Sequence, residues 1–171
     1  TERTEELERR TVQVKVAAEI ARDVAKNRRL EDLLDATVNL VRDRFGFYHA
    51  GIFLVDARGE FAVLRAATGN AGREMLIKRH KLRIGETGLV GHVCDEGKPR
   101  IALDVGQDAV HFKNPFLPET RSEIALPLIS GGQIIGALDV RSQQSAAFDE
   151  DDILILQIMA DQLAAAIESA R

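Results

Sequence analysis

The amino-acid sequence predicts an α+β domain built around a central antiparallel sheet. Three observations lead to this prediction. Good helix formers occupy the first 45 residues, which contain neither glycine nor proline. Two pairs of β-rich segments in the middle of the chain each flank a short turn of the kind that closes a hairpin. A final segment with a helical period follows four consecutive carboxylates at residues 149–152.

Composition limits the classes of function. The 171 residues carry 23 lysines and arginines against 27 aspartates and glutamates, and this net charge of −4 argues against a nucleic-acid-binding protein. Hydrophobic residues make up 45% and charged residues 29%, a balance typical of a globular domain rather than a disordered chain. The single cysteine, Cys94, excludes an internal disulfide and a zinc site made of cysteines.

Neither end of the sequence resembles a targeting segment. Charged residues crowd the first ten positions, unlike a signal peptide, and no apolar run approaches the roughly 18 residues of a membrane span. The sequence begins without methionine and ends within a helical pattern. We therefore expect a cytoplasmic piece of a longer protein, with no membrane contact of its own.

The N-terminal 45 residues predict two helices separated by a joint at residues 27–29. The first helix carries a weak heptad pattern, formed by Leu7, Thr11, Val14, Ala18 and Ala21. The second carries a stronger apolar stripe, formed by Leu30, Leu33, Leu34, Val38, Val41 and Phe45. We therefore predict a coiled-coil signalling helix over residues 1–28, followed by a globular domain over residues 29–171.

Four strands are predicted as two hairpins. Residues 50–55 and 61–66 flank a turn that contains aspartate and glycine. Residues 122–129 and 133–140 flank a Ser-Gly-Gly turn. The first hairpin is apolar on both faces, which indicates a sheet that is covered on both sides.

The region between the hairpins, residues 68–118, is irregular and contains several glycines. A short helix is predicted from a cap at Thr87 to near Gly97, and a short strand over residues 100–105. Residues 106–120 then form a long loop with two prolines. Loops of this length are uncommon inside compact domains unless they serve a function.

The C-terminal helix carries apolar residues at alternating steps of three and four, a pattern typical of helix pairing. These residues are Ile153, Leu156, Ala160, Leu163, Ile167 and Ala170. The predicted dimer interface combines this seam with the N-terminal heptad and comprises Leu7, Val14, Ala21, Ile153, Leu156, Ala160, Leu163 and Ile167. The residues then left to pack against the sheet are Leu154, Ile155, Ile158, Met159 and Ala166.

Five segments resemble the GAF domain family, a small-molecule-sensing module of bacterial signalling proteins and cyclic-nucleotide phosphodiesterases. They are FYHAGIFLVD at 47–56, GETGLVG at 85–91, RSEIALPL at 121–128, GALDV at 136–140 and FDEDD at 148–152. Their order and spacing carry the resemblance, which covers residues 30–170.

The resemblance implies a six-stranded antiparallel sheet with the N- and C-terminal helices on one face. It places the irregular segment and its short helix on the other face, with a ligand pocket between them. It also implies terminal helices that pair in a homodimer and continue into an effector, such as the sensor histidine kinase of a two-component system. We therefore expect a sensor that relays ligand occupancy through dimeric helices.

The residues argue against catalysis, and no cofactor is expected. A GAF-type methionine sulfoxide reductase needs several cysteines to resolve a disulfide, and one cysteine cannot complete that cycle. Cys94 lies on the apolar face of the short helix, so we interpret it as a buried, inert thiol. No Ser-His-Asp order and no phosphate-binding loop is recognisable.

Two ligand types of the family fit poorly. Chromophore-bearing members set a cysteine next to a histidine, whereas aspartate follows Cys94. Cyclic-nucleotide-binding members carry Asn-Lys where this chain has Arg-Ser. A haem or metal ligand stays open, with His92 and then His111 as candidates, although no two of the four histidines are spaced i, i+4.

A non-covalent pocket beneath the long loop is the leading candidate site. Backbone N–H groups at the helix start can hold an anion, and the loop offers an aromatic ring beside hydrogen-bond donors. The expected ligand-binding residues are Thr87, Gly88, His92, Asp104, His111, Phe112, Arg121, Ser122 and Glu123. Arg121 could instead pair with Glu123 or Asp104, and Thr87 could only cap its helix.

Three hypotheses about function remain. The first is a sensor of an unidentified small molecule, attached to an effector domain. The second is a degenerate GAF domain whose pocket is filled by side chains and which only dimerises or docks partners. The third is a haem-based gas sensor.

Overall fold

A computed structural model of the chain describes residues 2–108 and 110–171, apart from the side chains of residues 13, 20 and 23–27. The strands are β1 (His49–Val55), β2 (Phe61–Ala67), β3 (Lys81–Arg83), β4 (Arg100–Ala102), β5 (Ser122–Ser130) and β6 (Gln133–Ser142). The helices are α1 (Glu2–Phe45), α2 (Gly69–Ile77), α3 (Gly88–Glu96) and α4 (Glu150–Ala170), with a short 3-10 helix at Val105–Gln107. The strands form one antiparallel sheet in the order β3-β2-β1-β6-β5-β4, which confirms the predicted α+β class.

Both predicted hairpins are present. β1 and β2 pair across a turn in which the Oδ1 atom of Asp56 accepts a hydrogen bond from the backbone N–H of Glu60 at 2.9 Å. β5 and β6 pair along their whole length and are joined by Gly131 and Gly132, whose φ angles are +57° and +79°. Two positive φ angles suit the tight turn that a right-handed strand twist requires.

The sheet is covered on both faces, and each face has its own apolar core. The outer face packs against α1 and α4, through residues that include Leu34, Val38, Ile52, Leu126, Leu138 and Leu156. The inner face packs against α2, α3 and the long loop, through residues that include Phe53, Leu64, Met75, Leu89, Val93 and Ala125. The expected separation of terminal helices from the irregular segment is therefore confirmed.

α1 is one continuous helix, so the predicted joint at residues 27–29 is wrong. Asparagine and arginine are tolerated inside a helix, so the polar residues in this stretch do not require a break. Leu30 is the first buried residue among the described side chains of α1. The predicted apolar stripe that begins there packs on the sheet, as the burial of Leu34, Val38 and Val41 shows.

The predicted dimer seam on α4 is wrong for most of its members, because they are buried in the domain's own core. These residues are Leu156, Ala160, Leu163 and Ile167. Ile153 is partly buried against the same core. The residues assigned from the sequence to the sheet include three that are exposed instead, Leu154, Ile155 and Ile158. Alternating three- and four-residue steps mark one apolar helix face without specifying whether a sheet or a second helix covers it.

The start of α4 is confirmed at the predicted carboxylates. Asp149 and Asp152 form a capping box, in which each side chain accepts a hydrogen bond from the other's backbone N–H at 2.8 and 3.2 Å. Among the described helices, α4 alone has the length and apolar composition that a membrane span requires. Its buried side chains nevertheless belong to the core that covers the sheet.

α2 and β3 are not predicted from the sequence. α2 contains Gly69 and Gly72, which are poor helix formers, and tertiary packing stabilises it instead. Met75 is buried in the inner core, and a Cβ atom on Gly72 would lie 2.6 Å from the carbonyl carbon of Ala67. β3 has only three residues and is too short to be recognised by its period.

Two leucines two positions apart on α4 test which face forms the core. Leu156 is fully buried whereas Leu154 is 61% exposed. We expect Leu156→Ala to lower the free energy of unfolding by about 2–5 kcal/mol, because it leaves a cavity. Leu154→Ala should change it by less than about 0.5 kcal/mol. Urea unfolding followed by circular dichroism measures both values, and equal losses would contradict the assigned core face.

Candidate functional site

Three charged side chains come together on the inner face of the sheet. Glu123 of β5 is the register partner of Arg141 of β6, and Asp139 precedes Arg141 by two residues. Residues two apart on a strand point to the same face. Ala137 belongs to the inner core, so the alternation along β6 places Asp139 and Arg141 on that face as well.

Arg141 joins the two carboxylates. Its Nε atom donates to Oδ2 of Asp139 over 3.0 Å, and its Nη2 atom lies 3.1 Å from Oε2 of Glu123. The other oxygen of Glu123, Oε1, lies 2.6 Å from Nδ1 of His111 in the long loop. We call Glu123, Asp139, Arg141 and His111 the buried charge cluster, because their side chains are only 1–7% exposed.

Two polar atoms of the buried charge cluster have no hydrogen-bond partner among the described residues. They are Oδ1 of Asp139 and Nη1 of Arg141. Nη1 of Arg100 is in the same condition, and one residue of β5, Ala125, pairs with Arg100 on one side and with Asp139 on the other. An unpaired buried polar group costs about 1–3 kcal/mol. This arrangement therefore leaves three buried polar atoms that a bound molecule or a water could pair with.

The histidines near Arg141 are held neutral. His49 is the register partner of Arg141 on β1, and burial lowers its pKa to about 4. Burial, followed by the charge of Arg141, also lowers the pKa of His80 and of His111. Neutral His111 therefore donates its Nδ1 proton to the Glu123 carboxylate.

The pKa values of both charged residues on β6 are raised, but for different reasons. Burial, and next the Glu123 carboxylate, raise the pKa of Asp139 well above its usual range, and Arg141 opposes this only in part. Burial by itself would lower the pKa of Arg141, but the carboxylates of Glu123 and Asp139 outweigh it and raise that pKa. The site thus contains a permanent guanidinium beside a carboxyl group that takes up a proton easily.

A cavity of 490 Å³ is lined by residues of the segment 105–120, and His111 is the member of the buried charge cluster that belongs to this lining. Its lining residues are Val105, Gly106, His111, Lys113, Asn114, Pro115, Leu117, Pro118 and Thr120. This volume falls within the range of roughly 300–1,000 Å³ found for small-molecule sites. The cavity therefore combines apolar walls with one side chain of the buried charge cluster.

Aromatic contacts hold the adjoining part of the loop. The ring of His80 lies 6.0 Å from that of Phe53 and 6.1 Å from that of Phe112, measured between centroids. Gly88, at the start of α3, approaches the same loop so closely that an added Cβ atom would lie 3.0 Å from Cβ of Phe112. Ring contacts and the approach of Gly88 therefore fix Phe112, while the hydrogen bond to Glu123 fixes its neighbour His111.

Four of the nine predicted ligand-binding residues lie at or beside this site. His111 and Glu123 belong to the buried charge cluster, and Phe112 and Gly88 contact each other next to it. His92 does not join them, because its Nδ1 atom lies 2.8 Å from a backbone carbonyl of its own helix.

The other four predicted residues have separate positions or partners. Thr87 precedes α3 without a side-chain capping hydrogen bond. Asp104 accepts a hydrogen bond from a backbone N–H two residues further on, at 3.1 Å. Ser122 donates to a backbone carbonyl in the segment 143–149, at 2.6 Å. The side chain of Arg121 is exposed, and the cation that pairs with Glu123 is the arginine of β6.

Asp139, Arg141, Arg100 and His49 are not predicted as site residues from the sequence. Charged residues two apart in an otherwise apolar strand, as at 139 and 141, were the available signal. Pairing them with Glu123 also needs the strand register, and a β-bulge between Leu128 and Ile129 shifts that register by one residue. Bulges of this kind have no clear sequence pattern.

The described residues offer no arrangement of three or more His, Cys, Asp or Glu side chains that could hold a metal ion. Cys94 is buried in the inner core, and burial raises the pKa of its thiol to about 12. A thiol with such a pKa is a poor nucleophile at neutral pH.

The comparisons with known proteins agree with the fold. A family model described as GAF domain matches residues 27–168. The chain is 33% identical over 135 residues to GAF domain-containing protein A of Dictyostelium discoideum, covering 78% of each protein.

Solved structures are similar as well. The free methionine-R-sulfoxide reductase of Neisseria meningitidis in complex with its substrate is 31% identical, with a TM-score of 0.72 over 83% of this chain and 80% of that one. The GAF domain of a phosphoenolpyruvate-protein phosphotransferase from Coxiella burnetii is 23% identical, with a TM-score of 0.74 over 89% and 94% of the two chains.

Asp139→Asn tests the protonation of the buried charge cluster. Between a pH of about 4 and the raised pKa of Asp139, the folded protein binds a proton that the unfolded chain has released. The contribution of Asp139 to the free energy of unfolding of the wild type therefore falls as pH rises, by at most about 1.4 kcal/mol per pH unit. The variant lacks this contribution, so its stability relative to the wild type should improve from pH 5 to pH 8.

Urea unfolding at each pH measures the difference between the two proteins. Glu19→Gln, on the exposed part of α1, is the control and should show a constant difference from the wild type. If the stability difference between Asp139→Asn and the wild type were also constant over this pH range, it would contradict the raised pKa of Asp139.

Proposed function

This chain belongs to the GAF domain family, and we propose that it is a non-catalytic, small-molecule-sensing module of a larger bacterial signal-transduction protein. The observation that carries the proposal is the buried charge cluster with its unpaired atoms. Burying an ion costs several kcal/mol, and apolar side chains would stabilise this face of the sheet at least as well. Charges placed beside a cavity are instead suited to ligand binding.

The comparison with a similar solved structure supports the proposal that this domain binds a small molecule. The reductase of Neisseria meningitidis was solved in complex with its substrate. We carry over the capacity to hold a small molecule and not the reductase chemistry. A thiol-based reduction cycle needs more than one cysteine, and the single Cys94 is buried with a raised pKa.

The strands of the site are continuous with both terminal helices, which offers a route for a signal. α1 is joined to β1 by residues 46–48, and β6 is joined to α4 by residues 143–149. Asp139 and Arg141 lie on β6, and β1 pairs with that part of β6. A ligand that contacts these residues therefore acts on strands linked to both helices. Transmission further requires that the ligand bind two helix arrangements with different affinity.

The proposed output passes through α1. Residues 2–29 precede Leu30, the first buried residue among the described side chains of α1, and 28 helical residues extend about 42 Å at 1.5 Å per residue. Leu7, Val14 and Ala21 are exposed along this stretch. A long solvated helix with an apolar stripe is stabilised by pairing, so we propose a parallel homodimer through these residues. We further propose that the effector attached to this domain is a cytoplasmic histidine kinase.

Ligand occupancy tests the sensing role. Native mass spectrometry of freshly purified protein and a thermal-shift screen of a metabolite library should both detect a bound small molecule. Glu123→Gln, which removes a charge from the cluster, should lose it. Glu119→Gln replaces an exposed glutamate of the loop and should retain it.

A wild-type protein that carries no small molecule, and that no library compound stabilises, would contradict the proposal and favour the scaffold hypothesis. A Soret absorption band in protein supplied with haem would contradict it in favour of a gas sensor.

Two valines on α1 test the dimer. Val14 and Val16 are both exposed, and two residues apart on a helix they point in nearly opposite directions. Val14→Glu should convert a dimer, with twice the 18.8 kDa mass of one chain, into a monomer. Val16→Glu should leave the dimer intact. Light scattering at micromolar concentration measures both, and a wild-type monomer would contradict this interface.

A further inference from the structure

The segment from the middle of α2 to the end of β3 carries a positive charge that the rest of the chain does not share. Residues 73–83 contain five arginines or lysines against one glutamate, whereas the whole chain has a net charge of −4. All five cations are exposed, and β3 is the last strand at its end of the sheet. We call this surface the basic edge, and its cations are Arg73, Lys78, Arg79, Lys81 and Arg83.

Most of these cations have no acidic partner. Within the part of the chain that the structure describes, a carboxylate pairs with one of the five, as Glu86 lies 3.5 Å from Arg83. The favourable charge of a helix C-terminus accounts for Lys78 and Arg79, which follow α2, but not for the cations of β3. The basic edge therefore keeps most of its charge available for an anionic partner.

An exposed isoleucine stands among the cations. Ile77 is 80% exposed, the largest fraction of any large apolar side chain among the described residues. It occupies the last position of α2, one turn after Arg73 and directly before Lys78. Met75, two residues earlier, is buried in the inner core, so the helix turns Ile77 away from the protein. An apolar side chain among cations is typical of surfaces that enter the headgroup layer of a membrane.

The cations spread around the edge of the sheet. Lys81 and Arg83 lie over the ring of Phe61, 4.1 and 5.1 Å from its centroid. Lys78 lies over the ring of Phe116 at 5.0 Å, in the loop that covers the inner face. A phosphate or a carboxylate is recognised by donors that converge on it, whereas the anionic leaflet of a bilayer presents its charge over a plane. The spread of the cations therefore favours a bilayer over a discrete anion.

From these observations we propose that the basic edge is a peripheral docking surface for an anionic phospholipid bilayer. Its cations pair with lipid phosphate groups, and Ile77 enters the layer between the headgroups and the acyl chains. The lack of a long apolar run, from which we expected no membrane contact, does not bear on a surface of this kind. The contact is separate from the cavity of the long loop, whose lining contains no residue of the basic edge, and it goes beyond the proposed sensing function.

Vesicle sedimentation tests the proposal on the wild-type protein. Vesicles of phosphatidylcholine alone are compared with vesicles in which about one lipid in three is phosphatidylglycerol, which is anionic. The protein should sediment with the anionic vesicles and stay in solution with the neutral ones. Raising the ionic strength from about 0.1 M to about 1 M shortens the Debye length from about 10 Å to about 3 Å and should release most of the protein. A wild-type protein that does not sediment with anionic vesicles would overturn the proposal.

Two charge reversals separate the basic edge from net charge. Arg73→Glu alters the basic edge, whereas Lys98→Glu makes the same change at an exposed lysine beside β4, five strand spacings of about 4.8 Å away. Arg73→Glu should weaken binding to anionic vesicles at least about tenfold, because each cation near such a surface strengthens binding roughly fivefold. Lys98→Glu should weaken it by less than about threefold, because its charge lies beyond the Debye length. Equal losses would overturn the assigned surface.

Two exposed apolar residues test the insertion. Ile77→Asn should weaken binding to anionic vesicles at least about threefold, because an apolar side chain no longer leaves water. Leu154→Asn, at a 61% exposed leucine of α4, is the matched control and should bind as the wild type. If Ile77→Asn and Leu154→Asn bound the vesicles equally well, the insertion of Ile77 would be overturned.

Soluble poly-L-glutamate distinguishes a bilayer from an acidic protein partner. It offers negative charge without an apolar layer, so Ile77→Asn and the wild type should bind it equally. A wild-type protein that binds poly-L-glutamate more tightly than the anionic vesicles would overturn the bilayer in favour of an acidic protein. These measurements use no small molecule, so their outcome is independent of the test of the sensing function.

Discussion

The ion pairs of Arg141 with Glu123 and Asp139 are the interactions on which the inner face of the sheet depends. They link β5 to β6 side by side, and the second oxygen of Glu123 ties the long loop to the sheet through His111. Removing one partner of such a buried set leaves an uncompensated charge, which typically costs about 3–5 kcal/mol. Glu123 therefore links the guanidinium of Arg141 to the long loop, and together with burial it raises the pKa of Asp139, which Arg141 opposes.

The two faces of the sheet differ in composition, and we assign stability to the outer face and ligand binding to the inner one. The outer face is apolar and joins α1 and α4 into the larger core, where Leu138 and Val140 of β6 contribute. The same strand turns Asp139 and Arg141 to the inner face, where charge replaces close apolar packing. Because successive residues of one strand serve both layers, a displacement at the charged site acts directly on the strand that supports the helices.

Helix packing shows how a correct pattern can be assigned to the wrong surface. The three- and four-residue steps on α4 predict an apolar face, and that face exists. It meets the sheet rather than a second chain, since Leu156 and Ile167 are fully buried in the domain. α2 is the converse case, a helix that its sequence does not predict. It begins with weak helix formers and is held by Met75 and by the close contact of Gly72 with Ala67. Local propensity is a weak guide where tertiary contacts supply most of the stability.

The sequence by itself determined the two hairpins, the carboxylate cap of α4 and the order of elements that defines an α+β domain, but not α2 or β3. It also indicated His111 and Glu123, whose polar side chains and positions in a long loop and a strand are visible without coordinates. Only the tertiary structure decided which residue of β6 pairs with Glu123. Counting back from the β5–β6 turn without a bulge sets Glu123 opposite Val140, whereas the bulge between Leu128 and Ile129 sets it opposite Arg141. A shift of one residue changes every cross-strand pair, so the charged site exists only once the strands have paired.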